Sequence, residues 1–320
     1  MKPILEISDL SVSFPGNDGV LSAIDNINLT VRKGETLAVI GESGSGKSIL
    51  GLSIMRLLPA NARITGSVLF TGTDLLSIPH SEIEAIRGSK IAWIPQNPKT
   101  SFNPSMKMWK QIAEPAVVHL GKSWTHARIQ AVKQLETYSI FPPEFWAEEY
   151  PVTYSGGMLQ RATIAMGTST NPDIIIADEP TKGIDRITKK DIIEKFARLK
   201  KTGVTLMLIT HDLDFATELA DRIVVIYCGQ IVEISDAGCF LKSPLHPYSR
   251  GLIHSLPQNG LFPIPGTAPP MHMRFSGCRF RERCADRSDQ CDCDIGLNQS
   301  GDGYVRCIQC DNWDRTKKTV

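Results

Sequence analysis

Residues 36–48 read Thr36-Leu37-Ala38-Val39-Ile40-Gly41-Glu42-Ser43-Gly44-Ser45-Gly46-Lys47-Ser48, and this stretch decides the fold. Five residues of continuous strand character run into a glycine-rich turn that fits G-x-x-x-x-G-K-[ST], and a helical pattern from Ser48 to Leu58 follows. Glycines in such a loop let backbone N–H groups turn inward around phosphates, and the helix N-terminus adds a favourable dipole. Lys47 is positioned by the pattern to neutralise β- and γ-phosphates, with the Ser48 hydroxyl on Mg²⁺. A second strand, Ile174-Ile175-Ile176-Ala177, ends in Asp178-Glu179. Alone this is an ordinary strand terminus. Downstream of a phosphate loop, it places Asp178 near the magnesium and Glu179 near an attacking water as general base.

Outward from these two strands the chain alternates strand and helix patterns. Thr205–Thr210 is a further buried strand, and Ile223–Tyr227 with Ile231–Glu233 reads as a hairpin around Cys228-Gly229. The first 40 residues read as short strands (Leu5, Ile7; Val12, Phe14; Ile27, Leu29, Val31) broken by Pro15-Gly16-Asn17-Asp18-Gly19. From 97 to about 163 the pattern turns helical, with Trp109, Ile112 and Val117-Val118 as apolar points. Continuous apolar strands alternating with helices predict an α/β fold with a mostly parallel sheet covered on both faces. After Phe240 the composition shifts to Pro, His, Gly, Cys and Arg, which divides the chain into 1–240 and an extension over 241–320.

Composition narrows the function. Of 320 residues 42% are hydrophobic, enough for one large core with a small appendage. Lys+Arg total 35 and Asp+Glu 34, so the formal charge of +1 excludes a bulk polybasic surface for nucleic acid. No apolar run approaches the roughly 20 residues that span a bilayer. MKPILEISDL lacks the pattern of a signal peptide, so the expectation is a cytosolic protein that meets a membrane only through partners.

Tyr154-Ser155-Gly156-Gly157-Met158-Leu159-Gln160-Arg161, just before the acid strand, is similar to the L-S-G-G-Q signature of ATP-binding cassette (ABC) transporters. The resemblance implies a P-loop NTPase (RecA-like) core with an antiparallel β subdomain and an α-helical subdomain over about 97–163. It implies that ATP is held by Gly41, Glu42, Ser43, Gly44, Ser45, Gly46, Lys47 and Ser48, while Ser155, Gly156 and Gly157 cap the γ-phosphate bound by a partner cassette. Gln96 resembles the glutamine that touches Mg²⁺, Asp185 occupies the D-loop position, and His211 matches the switch histidine. Phe14 is the candidate for stacking on adenine. The sequence departs from the family at Tyr154 and Met158 of the signature and at Gly183-Ile184 of the D-loop.

Nearly the whole chain resembles the ATPase subunits of oligopeptide, dipeptide and nickel importers. The segments that carry this are Gln96–Pro104, Tyr150-Pro151, Pro244-Leu245-His246-Pro247-Tyr248, Ile264–Pro269 and Gly277-Cys278-Arg279-Phe280-Arg281-Glu282-Arg283-Cys284. Such subunits work as pairs of related but different ATPases beneath two membrane permeases, on the cytoplasmic face of the membrane, fed by an extracytoplasmic binding protein. Eight cysteines include six between Cys278 and Cys310. By resemblance, Cys278, Cys284, Cys291 and Cys307 hold a [4Fe–4S] cluster; tetrahedral zinc is the alternative, with Cys293 and Cys310 as spare ligands. The competing function classes are a soluble ABC ATPase of DNA repair or translation and a weakly hydrolysing regulatory cassette.

Overall fold

The computed structural model describes residues 2–16, 19–270, 273 and 275–308. The chain forms two compact units, one built from residues 32–36 and 77–209 and the other from 2–31, 37–76 and 210–320. The phosphate loop and the C-terminal extension belong to the same unit.

In that unit the strand Thr36–Ile40 lies parallel to Arg222–Tyr227, with Leu37 opposite Arg222 and Ile40 opposite Val225. Arg222–Tyr227 returns as the antiparallel strand Gln230–Asp236, and the turn between them is the expected Cys228-Gly229 pair. Both turn residues have positive φ, 45° and 81°, the backbone that a tight hairpin with right-handed strand twist requires. Gly303–Val305 and Asn298–Ser300 then extend the sheet from the far end of the chain. Leu37 to Ile40 and Ile223 to Tyr227 are buried throughout, which explains their unbroken apolar runs. The extension adds its own Tyr248, Ile253 and Phe280 to the core built on these strands.

The first 32 residues differ from expectation. They form two long strands, Pro3–Gly16 and Gly19–Arg32, rather than several short ones, in a four-stranded sheet with Arg63–Phe70 and Thr73–Asp74. A register shift between Ser8 and Ser11, with Asp9 at φ 50°, interrupts the alternation on which a sequence reading depends. The helix after the phosphate loop, Lys47–Ile54, also stops earlier than predicted, with Arg56 at φ 48° beyond its end.

The other unit stacks the parallel strands Ile91–Ile94, Ile174–Asp178 and Thr205–Thr210 in register, Ile91 opposite Ile174 and Ile174 opposite Thr205. Its helices Met108–Leu120, Trp124–Thr137, Pro143–Glu148 and Gly156–Thr168 share a core of Met108, Ile112, Ala131, Leu135, Tyr154 and Leu159. This is the helical region that the sequence places at 97–163. Among the described residues no helix is long and apolar enough to cross a membrane.

Candidate nucleotide site

The phosphate loop is shaped by two glycines that no other residue can replace. At Gly41, φ is 153° and a Cβ would lie 2.2 Å from the Ile226 carbonyl oxygen; at Gly46, φ is 103° and a Cβ would lie 2.6 Å from the Ala23 oxygen. The loop therefore nests against the Tyr227–Gly229 turn, where the Gly229 N–H donates to the Ser45 carbonyl at 2.9 Å. Lys47 is 6% exposed, and its Nζ donates to the carbonyls of Gly41 (2.8 Å) and Glu42 (2.9 Å). The ammonium is thus held over the loop. Helix Lys47–Ile54 starts at Gly46 with no side-chain cap. Ser45 Oγ is buried without a hydrogen-bond partner among the described residues. An uncapped helix start, a buried cation and an orphaned hydroxyl in one loop fit a bound phosphate chain.

Phe14 is half-buried in strand Pro3–Gly16 of the same unit, so its ring is not fully absorbed by the core. His211 is exposed directly after strand Thr205–Thr210, and the next residue, Asp212, caps helix Leu213–Leu219 by accepting from the Phe215 N–H at 3.2 Å.

The second unit carries the remaining predicted residues. Asp178 ends its strand fully buried, and Glu179 follows at φ 49° and 7% exposure. Left-handed backbone at a carboxylate is strained, and here it is fixed by Glu179 N–H donating to Ile209 O at 2.8 Å. The strand delivers both acids, and the left-handed backbone falls at the second. Gln96 is half-buried beyond strand Ile91–Ile94 and lines a cavity of about 450 Å³ together with Gly156, Gln160, Lys182 and Gly183.

Ser155 caps helix Gly156–Thr168, its Oγ accepting from the Met158 N–H at 3.3 Å. Ser155 and Gly156 are exposed, and a Cβ on Gly156 would meet nothing within 4 Å. Space, rather than strain, is what that glycine leaves open. The unusual Tyr154 is accounted for: its ring packs edge-on against Trp146 at 5.1 Å and its Oη donates to the Trp146 carbonyl at 2.6 Å. Met158 packs against the helical core. Asp185 caps helix Arg186–Lys201, accepting from the N–H groups of Ile187 (2.9 Å) and Thr188 (3.0 Å) and from Thr188 Oγ1 (2.6 Å). The Thr188 hydroxyl, foremost among these donors, holds its carboxyl below the usual range.

In the extension, Cys291 is buried and Cys278, Cys284 and Cys307 are half-buried. The Cys278 N–H donates to the Cys291 carbonyl at 2.8 Å. Burial pushes the Cys278 thiol up, with a further push from Cys291 and Cys307; burial also raises Cys284, and Asp286, Cys278 and Cys291 add to it. Among the described residues no group of three or more His, Cys, Asp or Glu side chains is found that could hold a metal ion, so the structure supports neither the [4Fe–4S] cluster nor the zinc alternative. Cys310 lies outside the described residues.

Sequence reasoning missed the carboxylate that fixes the extension. Glu233 is fully buried within Ile231-Val232-Glu233-Ile234, and it accepts from the N–H groups of Leu245 (3.1 Å) and His246 (2.8 Å) and from Ser235 Oγ (3.1 Å). Burial raises its pKa. A lone acid inside an apolar strand was the available signal. His246 in turn caps helix Pro247–His254, its Nδ1 accepting from the Tyr248 N–H at 3.0 Å. Burial, reinforced by Arg250, lowers its pKa to about 3, so the imidazole is neutral.

Residues 24–182 match the family described as ABC transporter, and residues 232–291 match the oligopeptide/dipeptide transporter C-terminal region. The dipeptide transport ATP-binding protein DppD of Bacillus subtilis is 39% identical over 300 residues, covering 91% of this chain and 90% of that protein. The oligopeptide transport ATP-binding protein OppD of Haemophilus influenzae is 36% identical over 312 residues, covering 96% and 97%. The chain belongs to the ATP-binding subunits of ABC transporters, in the oligopeptide/dipeptide group. An ABC cassette, MJ0796, solved as a dimer bound to ADP and phosphate, superimposes with a TM-score of 0.66 at 25% identity, over 73% of this chain and 98% of that one. The ABC subunit is accordingly an ATPase of the P-loop class, as the phosphate loop and acid strand lead one to expect. Neither a DNA-repair nor a translation ATPase stands among these relatives.

Proposed function

We propose that this subunit hydrolyses ATP to power import of peptides, with Lys47, Ser48, Asp178 and Glu179 as the core of its nucleotide site. The observation that carries the site is the loop itself: a buried ammonium, an uncapped helix start and an orphaned Ser45 hydroxyl within eight residues. Lys47 and the N–H groups after Gly46 bind and orient the β- and γ-phosphates. Ser48, Asp178 and Gln96 would hold Mg²⁺, which would supply charge neutralisation across the phosphates. Glu179 accepts the proton of the attacking water and His211 contacts the γ-phosphate. Phe14 offers its free face to adenine.

Ser155, Gly156 and Gly157 serve the nucleotide of a second cassette, toward which the uncrowded Gly156 presents the start of its helix. The second cassette is a related but different ATPase, and the pair works beneath two permeases supplied by an extracytoplasmic binding protein, peripheral to the cytoplasmic face of the membrane. Peptide is favoured over nickel as cargo because the names of the relatives are those of dipeptide and oligopeptide transporters. The [4Fe–4S] reading of the extension rests on the resemblance of Cys278, Cys284, Cys291 and Cys307 to the pattern of that group alone, and iron and sulfide analysis of anaerobically purified protein tests it directly.

Glu179→Gln in the assembled transporter tests the mechanism. ATP binding is retained and turnover falls by about 10²–10⁴, the usual worth of a general base. Hydrolysis at the wild-type rate would remove Glu179 from that role.

A further inference from the structure

Glu42, the second residue of the phosphate loop, is held from outside the loop. Its backbone N–H donates to Tyr248 Oη at 2.8 Å, across 206 residues of sequence. Its carboxylate receives both arms of Arg283: Nη1 to Oε2 at 2.9 Å and Nη2 to Oε1 at 3.0 Å. The same Nη1 donates to Tyr227 Oη at 3.3 Å. The Arg283 side chain is 7% exposed and lies 5.8 Å from the ring centres of both Tyr227 and Phe280, so its planar head is fixed on aromatic faces. Tyr227, Tyr248 and Phe280 pack on one another with ring centres 4.6–5.4 Å apart.

The loop's opposite flank is supported from the same segment. Gly229 N–H donates to the Ser45 carbonyl, and Asp25 N–H donates to the Gly229 carbonyl. Arg279 reaches both partners of that turn, donating to the Cys228 carbonyl and to the Asp25 carboxylate. One tight turn, Cys278 to Cys284, therefore sends an arginine to each side of the phosphate loop. Two-armed, aromatic-backed pairing of a loop carboxylate exceeds what anchoring an appendage requires, since the Glu233 bonds already do that.

We propose that Arg283 and Tyr248 are positioning residues of the phosphate loop, through which the C-terminal extension sets the affinity for nucleoside triphosphate. The electrostatic reason is direct. ATP brings several negative charges to a loop that carries a carboxylate at its second position. Paired with Arg283 that carboxylate is neutralised and turned aside; unpaired, it repels the ligand at short range. Tyr248 fixes the direction of the Gly41–Glu42 peptide, whose Gly41 carbonyl receives Lys47 Nζ. The inference rests on the reading of the Lys47 loop as the ATP site.

A double-mutant cycle on the full chain, read by titration with MgATP, separates this role from general stabilisation. Arg283→Met is expected to raise the dissociation constant about tenfold, and Tyr248→Phe about threefold. Glu42→Gln combined with Arg283→Met is expected to bind within about threefold of Glu42→Gln alone, because the offending charge is gone. Arg283→Lys keeps the charge but loses the fork, and is expected to weaken binding by less than the methionine variant. Thermal melts accompany each variant. If Arg283→Met does not fold, Arg283→Lys decides: weakened binding supports the proposal, and wild-type affinity overturns it. Unchanged affinity in Arg283→Met, or a loss that persists undiminished in the Glu42→Gln background, likewise overturns it. Wild-type protein that bound no MgATP would instead remove the site reading, and the inference with it.

Discussion

The segment Gly41–Ser48 takes its shape mainly from glycines a few positions apart, whereas the extension from Pro244 to Cys307 takes its shape from partners far away in sequence. Lys47 bonds carbonyls five and six residues back. Arg283 and Arg279 bond carboxylates 241 and 254 residues back, and Arg306 donates to Ile231 across 75. The first kind of order is visible as spacing; the second appears only once strands have brought distant residues together. The comparison also teaches that a C-terminal appendage can be bonded into a glycine-rich loop near the other end of the chain.

The contrast can be broken first at Gly41. Gly41→Ala places a methyl against the Ile226 carbonyl at 2.2 Å, in backbone that alanine avoids, so we expect a loss of about 3–4 kcal/mol and of nucleotide binding. A denaturant titration measures the first and MgATP binding the second; wild-type stability would mean that the loop does not nest on that strand. Glu233→Ala attacks the other region. It orphans the buried N–H groups of Leu245 and His246 and should cost about 2–3 kcal/mol, with the melting temperature reduced accordingly.

The smallest expected effect is on pH. His246 has a folded pKa of about 3 against an ordinary value of 6.5, through burial and then the charges of Arg250 and Arg306. Between those values the unfolded chain binds the proton and the folded chain does not. Stability is therefore complete above pH 6.5 and falls as pH drops toward 3, by up to about 1.4 kcal/mol per unit. Glu233, raised by burial, protonates earlier in the folded chain and so offsets part of the loss at the acid end. Melting curves from pH 7.5 to 5 should be steeper for wild type than for His246→Asn, whose amide oxygen can still accept from the Tyr248 N–H. Equal slopes would mean that His246 is not held neutral.

Much of the candidate site's local framework was legible in the sequence because it is written in short-range order. The loop, the Asp178-Glu179 terminus and the Ser155 cap all sit where strand-to-loop spacing puts them. Where the reading fell short, the cause was a competing local or distant contact. The Asp9 bulge hid two long strands behind broken alternation. Tyr154 looked like a departure from the signature, yet its hydroxyl satisfies a helix-end carbonyl at Trp146 that leucine could not reach. Asp185, in the D-loop position by resemblance, also has its carboxylate engaged as a helix cap, a local bond that the resemblance does not announce. Arg283 and Tyr248 lay inside quoted segments without a role, since nothing near them in sequence points to Glu42.

The most direct test of the central claim is calorimetric titration of MgATP into the wild-type chain and its Lys47→Ala variant. We expect one ATP bound per chain and an affinity about 100-fold weaker in the variant, the cost of removing a buried charged partner of the phosphates. Equal binding by the two proteins would contradict the account, because the triphosphate would then lie somewhere other than the cradle closed by Lys47.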